Sequence, residues 1–178
     1  MDLVRAAREG SEQAFLKLFD ENRLPLFRFA YRMTGSAADA EDVVQECFLE
    51  LLRPGCSYDA AVTPVRTYLF GVARNQSLKR LRKGVPADQQ DGAWSQEASP
   101  EAEILRRELG EVVGRAVLAL PEAMREVLIL AHYEQMAVTE IARVLETEST
   151  TVKSRLQRAR AQLRETLATY ATSMEKRQ

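Results

Sequence analysis

Apolar residues recur every three or four positions along almost the whole chain, and no stretch shows the strict alternation typical of a half-buried β-strand. Two stretches rich in turn-forming residues interrupt this pattern, at residues 53–59 and 84–100. The pattern therefore predicts an all-α protein. We expect two small helical domains, at residues 1–83 and 101–178, joined by a flexible linker at residues 84–100, with about three helices in the first domain.

Length and composition are those of a folded globular protein. The chain has 178 residues, of which 46% are hydrophobic and 29% charged, enough for two small helical cores. No apolar run approaches the roughly 20 residues that span a bilayer, and residues 1–5 lack the apolar core of a signal peptide. We expect a cytoplasmic protein without membrane insertion.

Few residues in the chain suit catalysis or metal binding. Cys47 and Cys56 are expected to be reduced thiols, because the chain shows no export signal. The one histidine, His132, has no metal-ligand spacing to a cysteine, so we expect neither metal nor cofactor, and we expect this histidine at the surface or in helix packing. The sequence also lacks a nucleophile with a base, paired catalytic carboxylates and a glycine-rich phosphate loop. These features argue against an enzyme.

The net charge of −1 conceals two basic segments. Residues 61–83 carry six basic residues and no acidic one, a sum of +6, and residues 149–178 carry seven basic against two acidic residues, a sum of +5. Because fields act locally, two separate basic segments indicate contact with a polyanion at two places.

The residues from Pro121 to about Leu167 have the pattern of a helix-turn-helix. A helix begins near the proline, a short second helix is expected at residues 138–145, and a tight turn at residues 146–148 leads into a long basic helix. Ser149 or Thr150 is expected to cap that last helix. Such a unit places its last helix in the major groove of duplex DNA.

In the last helix an apolar stripe fixes which face remains for a ligand. Val152, Leu156, Ala159 and Leu163 fall on one side at helical spacing and are expected to be buried. We therefore assign duplex DNA contact to the remaining polar and basic positions, with bases read near the centre and phosphates held at the edges. These positions are Lys153, Ser154, Arg155, Gln157, Arg158 and Arg160. A two-helix packing unit with a solvated basic face is the alternative.

An acidic stripe follows residues 39–52, which are expected to form a helix. Its acidic residues lie along one side with Gln45 and Leu49 beside them, an arrangement that suits docking on a basic protein surface. Acidic residues near a helix N-terminus also stabilise the helix dipole. The residues alone leave both interpretations open.

A second stripe combines an aromatic ring with amide and cationic groups. In a helix expected at residues 64–83, Tyr68, Asn75, Lys79 and Arg82 share one side. Aromatic rings stack on unpaired bases and cations neutralise phosphates, so this stripe suits single-stranded nucleic acid. A tyrosine in a helix also commonly belongs to the core, and that alternative stays open.

Four motifs in chain order resemble the bacterial RNA polymerase sigma factors of the extracytoplasmic-function type, within the sigma-70 family. The first two are residues 39–48 and 68–75, the third is residues 120–122, and the fourth combines residues 140–142 with residues 151–160. The resemblance covers most of the chain. It implies a protein that binds core RNA polymerase and directs it to promoters.

The resemblance also implies roles for particular residues. The first domain would bind the polymerase clamp through Asp39, Asp42, Gln45, Glu46 and Leu49. It would read the −10 element as single strand through a loop at residues 58–63 together with Tyr68, Asn75, Lys79 and Arg82. The second domain would bind the polymerase flap and read the −35 element as duplex, the linker would thread toward the active-site channel, and an anti-sigma factor is a further expected partner.

The chain departs from the family pattern at three positions. The family usually has tryptophan where Tyr68 stands, and glycine where this chain has Glu146 and Thr150. A left-handed turn residue other than glycine costs about 1 kcal/mol. We therefore expect these two turn positions to weaken promoter binding, and their joint replacement by glycine to strengthen it.

The main alternative function is a helix-turn-helix regulator that binds DNA without polymerase. Such a regulator would carry a ligand-binding or phosphoacceptor domain before its DNA-binding lobe. The first domain here is short and helical, which favours the sigma factor.

Overall fold

The computed structural model describes residues 3–83, 100–101 and 110–175. Within those ranges it contains eight α-helices and no β-strand, which confirms the prediction of an all-α fold. The chain divides into two compact units, Met1–Glu101 and Ala102–Gln178, called the N-terminal and C-terminal units below. The expected linker lies outside the described residues except for Pro100.

Four helices form the N-terminal unit: α1 (Leu3–Arg8), α2 (Glu12–Thr34), α3 (Ala37–Leu52) and α4 (Val65–Arg82). The sequence pattern predicted about three. The additional helix is α1, whose six residues are too few to show a repeating apolar pattern. Its one buried residue is Val4.

The core of the N-terminal unit lies where α2, α3 and α4 meet. The rings of Phe29 and Phe70 are fully buried and meet edge to face, with their centroids 5.6 Å apart. Cys47 lies in the same core, with its Sγ 3.7 Å from the Leu69 carbonyl oxygen. Burial raises the pKa of the Cys47 thiol to about 12, so this cysteine is a protonated core residue.

Local hydrogen bonds fix the ends of α2 and α3. Gly35 ends α2 in the left-handed conformation, with φ 76°, and its N–H donates to the Tyr31 carbonyl at 2.8 Å. Ser36 then caps α3, because its hydroxyl accepts from the Asp39 N–H at 3.2 Å. The helix therefore begins two residues before the predicted start at residue 39. At the far end, the Arg8 guanidinium donates to the Leu51 carbonyl from Nε at 3.0 Å and from Nη2 at 2.8 Å.

Four helices also form the C-terminal unit: α5 (Glu111–Leu118), α6 (Glu122–Leu128), α7 (Val138–Val144) and α8 (Ser149–Glu175). A π-helical turn, Ile129–Tyr133, extends α6. The side chain of Arg125 joins α5 to α6, since its Nη2 donates to the carbonyls of Leu118 and Leu120. The starts of α6 and α7 agree with the predicted positions to within a residue or two, whereas α8 continues to Glu175, beyond the predicted end near Leu167, and no bounds were predicted for α5.

The buried faces of the C-terminal unit match the predicted apolar stripes. Val152, Leu156 and Ala159 of α8 are buried against the other helices, and Leu163 is half-buried where the stripe ends. Ile141, Ala142 and Leu145 are buried on α7, as expected. The opposite side of α8 is therefore exposed to solvent. Each of the described helices is too short or too polar to cross a membrane.

The Ser36 cap gives a stability prediction for α3. Ser36→Ala removes the acceptor of the Asp39 N–H, so the first turn of α3 should lose about 1 kcal/mol. Amide hydrogen exchange in that turn, measured by mass spectrometry, should become about fivefold faster. Ser36→Asp keeps an acceptor and should exchange as the wild type does; equal rates in all three proteins would contradict the capping role.

Candidate polymerase and nucleic-acid interfaces

The residues predicted to bind polymerase share the solvent side of α3. Asp42, Gln45, Glu46 and Leu49 are exposed, and Asp39 is half-buried. Leu49 is 60% exposed, on the side of α3 away from the core. The structure thus brings these five residues together on one surface, called the α3 face below.

Arg80 of α4 reaches the first turns of the α3 face. Its guanidinium lies 3.7 Å from Asp39 Oδ1 through Nε and 3.8 Å from Asp42 Oδ2 through Nη2. Exposed ion pairs at such distances contribute little to stability, but they neutralise part of the acidic stripe. Asp39 also lies in the first turn of α3, where a carboxylate favours the helix dipole. The sequence analysis missed this pairing, because Arg80 belongs to a different helix.

An apolar groove of about 440 Å³ adjoins the α3 face. It lies between α2 and α3 and is lined mainly by apolar side chains, four of which are phenylalanines. The ring centroids of Phe15 and Phe48 are 6.2 Å apart, and those of Phe19 and Phe48 are 5.0 Å apart. Gln45 and Leu49 line the groove as well as the α3 face. The signal in the sequence was the spacing of the phenylalanines on α2, which sequence reasoning did not use.

The rim of this groove includes a residue from beyond the linker. Glu101 Oε1 lies 2.7 Å from Nη1 of Arg23, whose guanidinium carbon lies 5.6 Å from the centroid of the Phe19 ring. We expected Glu101 to begin the second domain. It lies at the end of the N-terminal unit, where it pairs with Arg23 of α2.

The stripe on α4 is mostly exposed, and its aromatic member is held from two sides. Asn75, Lys79 and Arg82 are exposed, and Tyr68 is half-buried. The Tyr68 hydroxyl lies 3.1 Å from Cys56 Sγ, and its ring centroid lies 5.2 Å from that of Tyr58. Burial, followed by the hydrogen bond with Cys56, raises the pKa of Tyr68 to about 12. Tyr68 therefore anchors the loop between α3 and α4.

The helix α8 presents the predicted duplex-binding residues in two groups. Ser154, Gln157 and Arg158 are exposed on the side opposite the apolar stripe, and Lys153 and Arg160 are exposed along one edge of it. Arg155 is half-buried, and its Nη1 lies 3.4 Å from Oε1 of the buried Glu126 on α6. The structure thus places Arg155 at the edge of the predicted surface.

Arg160 has a neighbour that the sequence did not reveal. Its Nε donates to Nε2 of His132 at 3.0 Å, across to the π-helical turn. Burial and the charge of Arg160 both lower the pKa of His132, which favours the neutral imidazole that can accept this hydrogen bond. His132 therefore lies at the surface and orients a cation of α8.

One of the two unusual turn positions needs the conformation that glycine favours. Glu146 has φ 50°, in the left-handed region, and its N–H and that of Thr147 donate back to the end of α7. The expectation for Thr150 is wrong, because α8 begins at Ser149 and Thr150 lies in its first turn. Ser149 and Thr150 both lie within α8, so neither residue precedes the helix as the predicted cap. The Thr150 hydroxyl donates to the Glu148 carboxylate at 3.2 Å.

Two family models match the chain in the order of its two units. Residues 18–85 match the model described as Sigma-70 region 2, and residues 110–163 match the model described as Sigma-70, region 4. The ECF RNA polymerase sigma factor SigL of Mycobacterium tuberculosis is 34% identical over 164 residues, which cover 89% of this chain and 92% of that protein. The chain belongs to the extracytoplasmic-function sigma factors.

Further comparisons agree with this assignment. This sigma factor is 28% identical to the ECF RNA polymerase sigma factor SigW of Bacillus subtilis over 177 residues, covering 92% of this chain and 94% of that one. Among solved structures, CnrH in complex with the cytosolic domain of CnrY matches with a TM-score of 0.72 and 26% identity, covering 94% of this chain and 96% of that chain. RpoE of Bartonella quintana, in complex with the anti-sigma factor NepR, matches the fold with a TM-score of 0.64 and 23% identity, covering 86% and 96%.

The comparisons bear on the alternatives left open by the sequence. A regulator that binds DNA without polymerase is not favoured, because the N-terminal unit of this sigma factor matches region 2. The family consists of sigma factors rather than enzymes.

The conformation of Glu146 predicts the effect of a single substitution. Glu146→Gly should raise the thermal stability of the C-terminal unit by roughly 1 kcal/mol, because it relieves the left-handed strain. It should also strengthen duplex binding, since it removes a carboxylate near the phosphates. Thermal unfolding and titration with promoter duplex measure the two effects.

Thr150→Gly is the matched control for that prediction. Glycine inside the first turn of α8 should lower stability by a few tenths of a kcal/mol instead of raising it. A gain in stability from Thr150→Gly equal to that from Glu146→Gly would contradict the placement of Thr150 in the helix.

Proposed function

We propose that this sigma factor binds core RNA polymerase and directs it to promoters by reading a −10 element with the N-terminal unit and a −35 element with the C-terminal unit. The observation that carries the proposal is the exposed basic side of α8, opposite a fully apolar stripe, in a chain whose other unit matches region 2. Such a protein would act in the cytoplasm, and it needs no catalytic step of its own.

The −35 element would be read as duplex by the first three turns of α8. Ser154, Gln157 and Arg158 are exposed next to one another, and an amide and a guanidinium are the side chains that make paired hydrogen bonds with base edges. Lys153 and Arg160 flank them and would hold phosphates. The hydrogen bond from Arg160 to His132 would keep that guanidinium in place before DNA arrives.

The −10 element would be read as single strand by α4 and the loop before it. Asn75, Lys79 and Arg82 follow one another along an exposed side of α4, where they can hold the backbone and edges of unpaired nucleotides. Tyr68 is held by Cys56 and Tyr58, so we assign it the additional task of fixing the loop at residues 58–63. Val62, 74% exposed at the loop tip, would meet the strand directly.

Core polymerase would bind the N-terminal unit at the α3 face. The clamp would meet Leu49 as an apolar contact, with Gln45, Glu46 and the two aspartates around it. This arrangement is that of a protein interface, with an apolar centre inside a polar rim. The C-terminal unit would bind the polymerase flap, and an anti-sigma factor, as in the complexes solved for two similar proteins, is the second proposed partner.

Transcription with purified components tests the proposed function. The chain added to core RNA polymerase should produce run-off transcripts from a subset of a promoter library, and core alone should not. Failure of the chain to bind core would remove the proposal.

Leu49→Glu is the sharpest variant for the polymerase contact. It should weaken binding to core at least tenfold, because it places a charge at the apolar centre of the interface, while leaving the exposed position without a folding cost. Fluorescence anisotropy of the labelled chain measures the binding. Leu16→Glu is the control: Leu16 is 47% exposed on α2, outside the proposed interface, and its variant should bind as the wild type does.

Two variants of α8 test the duplex contact through salt dependence and sequence preference. Lys153→Ala and Arg158→Ala should each weaken binding of the holoenzyme to promoter duplex. Lys153→Ala removes a proposed phosphate contact and should make the plot of log affinity against log salt shallower by about one unit, whereas Arg158→Ala removes a proposed base contact and should reduce the preference for the −35 sequence. Lys17→Ala, at an exposed cation of α2, should change none of these quantities. Unchanged affinity and slope in both α8 variants would leave α8 as a solvated packing helix.

A further inference from the structure

A buried carboxylate joins the two helices of the DNA-binding unit. The Glu126 side chain on α6 is 2% exposed, and the Arg155 side chain on α8 is 33% exposed. Nη1 of Arg155 lies 3.4 Å from Oε1 of Glu126. The two residues are 29 positions apart, so the contact depends on how the helices pack. Among the predicted duplex-binding residues, Arg155 is the one paired with a buried acidic group.

Because the Glu126 side chain is buried, its ionised form needs compensating partners. A carboxylate removed from water is strongly destabilised unless a cation and hydrogen bonds compensate it. Arg155 brings a positive charge to within 3.4 Å of Glu126. A rotation of α8 that withdrew Arg155 would take this charge away from the buried carboxylate.

The position of Arg155 on α8 makes the contact sensitive to rotation. Successive residues of a helix are about 100° apart, so Arg155 stands about 60° from the buried Val152 and about 100° from the buried Leu156. It thus lies at the edge of the apolar stripe. When a helix rotates about its axis, a residue at the edge of its contact surface moves toward or away from the partner helix, so rotation of α8 would change the distance between Arg155 and Glu126 directly.

We propose that Arg155 is a positioning residue: its pairing with Glu126 fixes the rotation of α8 on α6, so that Ser154, Gln157 and Arg158 meet the base edges. This positioning role replaces the prediction from the sequence that Arg155 itself contacts DNA. The inference rests on the proposed reading of the −35 duplex by α8.

The experiment compares two single variants and their combination in the holoenzyme. Arg155→Met removes the charge and keeps the length of the side chain, Glu126→Gln removes the acceptor charge and keeps its shape, and Lys153→Met serves as the control for a residue that holds a phosphate. Each holoenzyme binds two duplexes, one selected by the wild type from a randomised library and one with its −35 element scrambled. Affinities are measured at several salt concentrations, at a temperature well below the unfolding of every variant.

A positioning role predicts a common pattern for the pair. Arg155→Met and Glu126→Gln should each reduce the ratio of selected to scrambled affinity by about tenfold, and the double variant should be no worse than the more severe single one. The salt slope of both should equal that of the wild type, whereas Lys153→Met should make it shallower. A role in stability alone would lower the melting temperature and leave the affinity ratio unchanged, which would overturn the proposal.

Two further outcomes would overturn the inference. If Arg155→Met makes the salt slope shallower by about one unit while Glu126→Gln keeps the ratio of the wild type, Arg155 is a DNA contact. If both variants bind as the wild type does, the pair positions nothing. Should Glu126→Gln fail to fold, the slope and ratio of Arg155→Met decide between the same outcomes. A wild-type holoenzyme that selects no duplex would refute the proposed function itself, which is visible before any variant is compared.

Discussion

The burial of one apolar side of each helix is the constraint on which the rest of this structure depends. Each unit is small, so a helix has one side for the core and leaves the other to solvent. On α8 the burial of Val152, Leu156 and Ala159 determines that the polar and basic residues face outward. On α3 the burial of Val43, Cys47 and Leu51 does the same for the residues around Leu49. The proposed interfaces on α8 and α3 are thus consequences of core packing.

Charge pairing then decides which of the outward residues remain for a partner. The two basic segments of the sequence look uniform, but Arg80 pairs with Asp39 and Asp42, and Arg155 pairs with Glu126. Each of these contacts joins two helices of the same unit, so both cations are partly neutralised within the protein. The remaining exposed cations on α4 and α8 carry the field that a polyanion would meet.

Local contacts and backbone conformation describe the setting of each residue that departs from the family pattern. The resemblance led us to expect tryptophan where Tyr68 stands. The Tyr68 hydroxyl contacts Cys56 Sγ in the preceding loop, and tryptophan has no hydroxyl to make this contact. Glu146 adopts a left-handed conformation without being glycine, in a turn held by hydrogen bonds back to α7. Thr150 needs no such conformation, because it is already helical.

The sequence by itself determined the all-α class, the helix-turn-helix, the buried stripes of α7 and α8 and the family, because helical periodicity and motif spacing are local properties of a chain. It also indicated both candidate surfaces, since the side opposite an apolar stripe must face solvent. Tertiary structure alone decided that Arg155 meets Glu126, that Arg80 meets the acidic stripe, that phenylalanines of α2 and α3 line a groove, and that Glu101 pairs with Arg23. Each of these contacts joins residues far apart in sequence, and their distance depends on how helices pack, which no periodic pattern encodes.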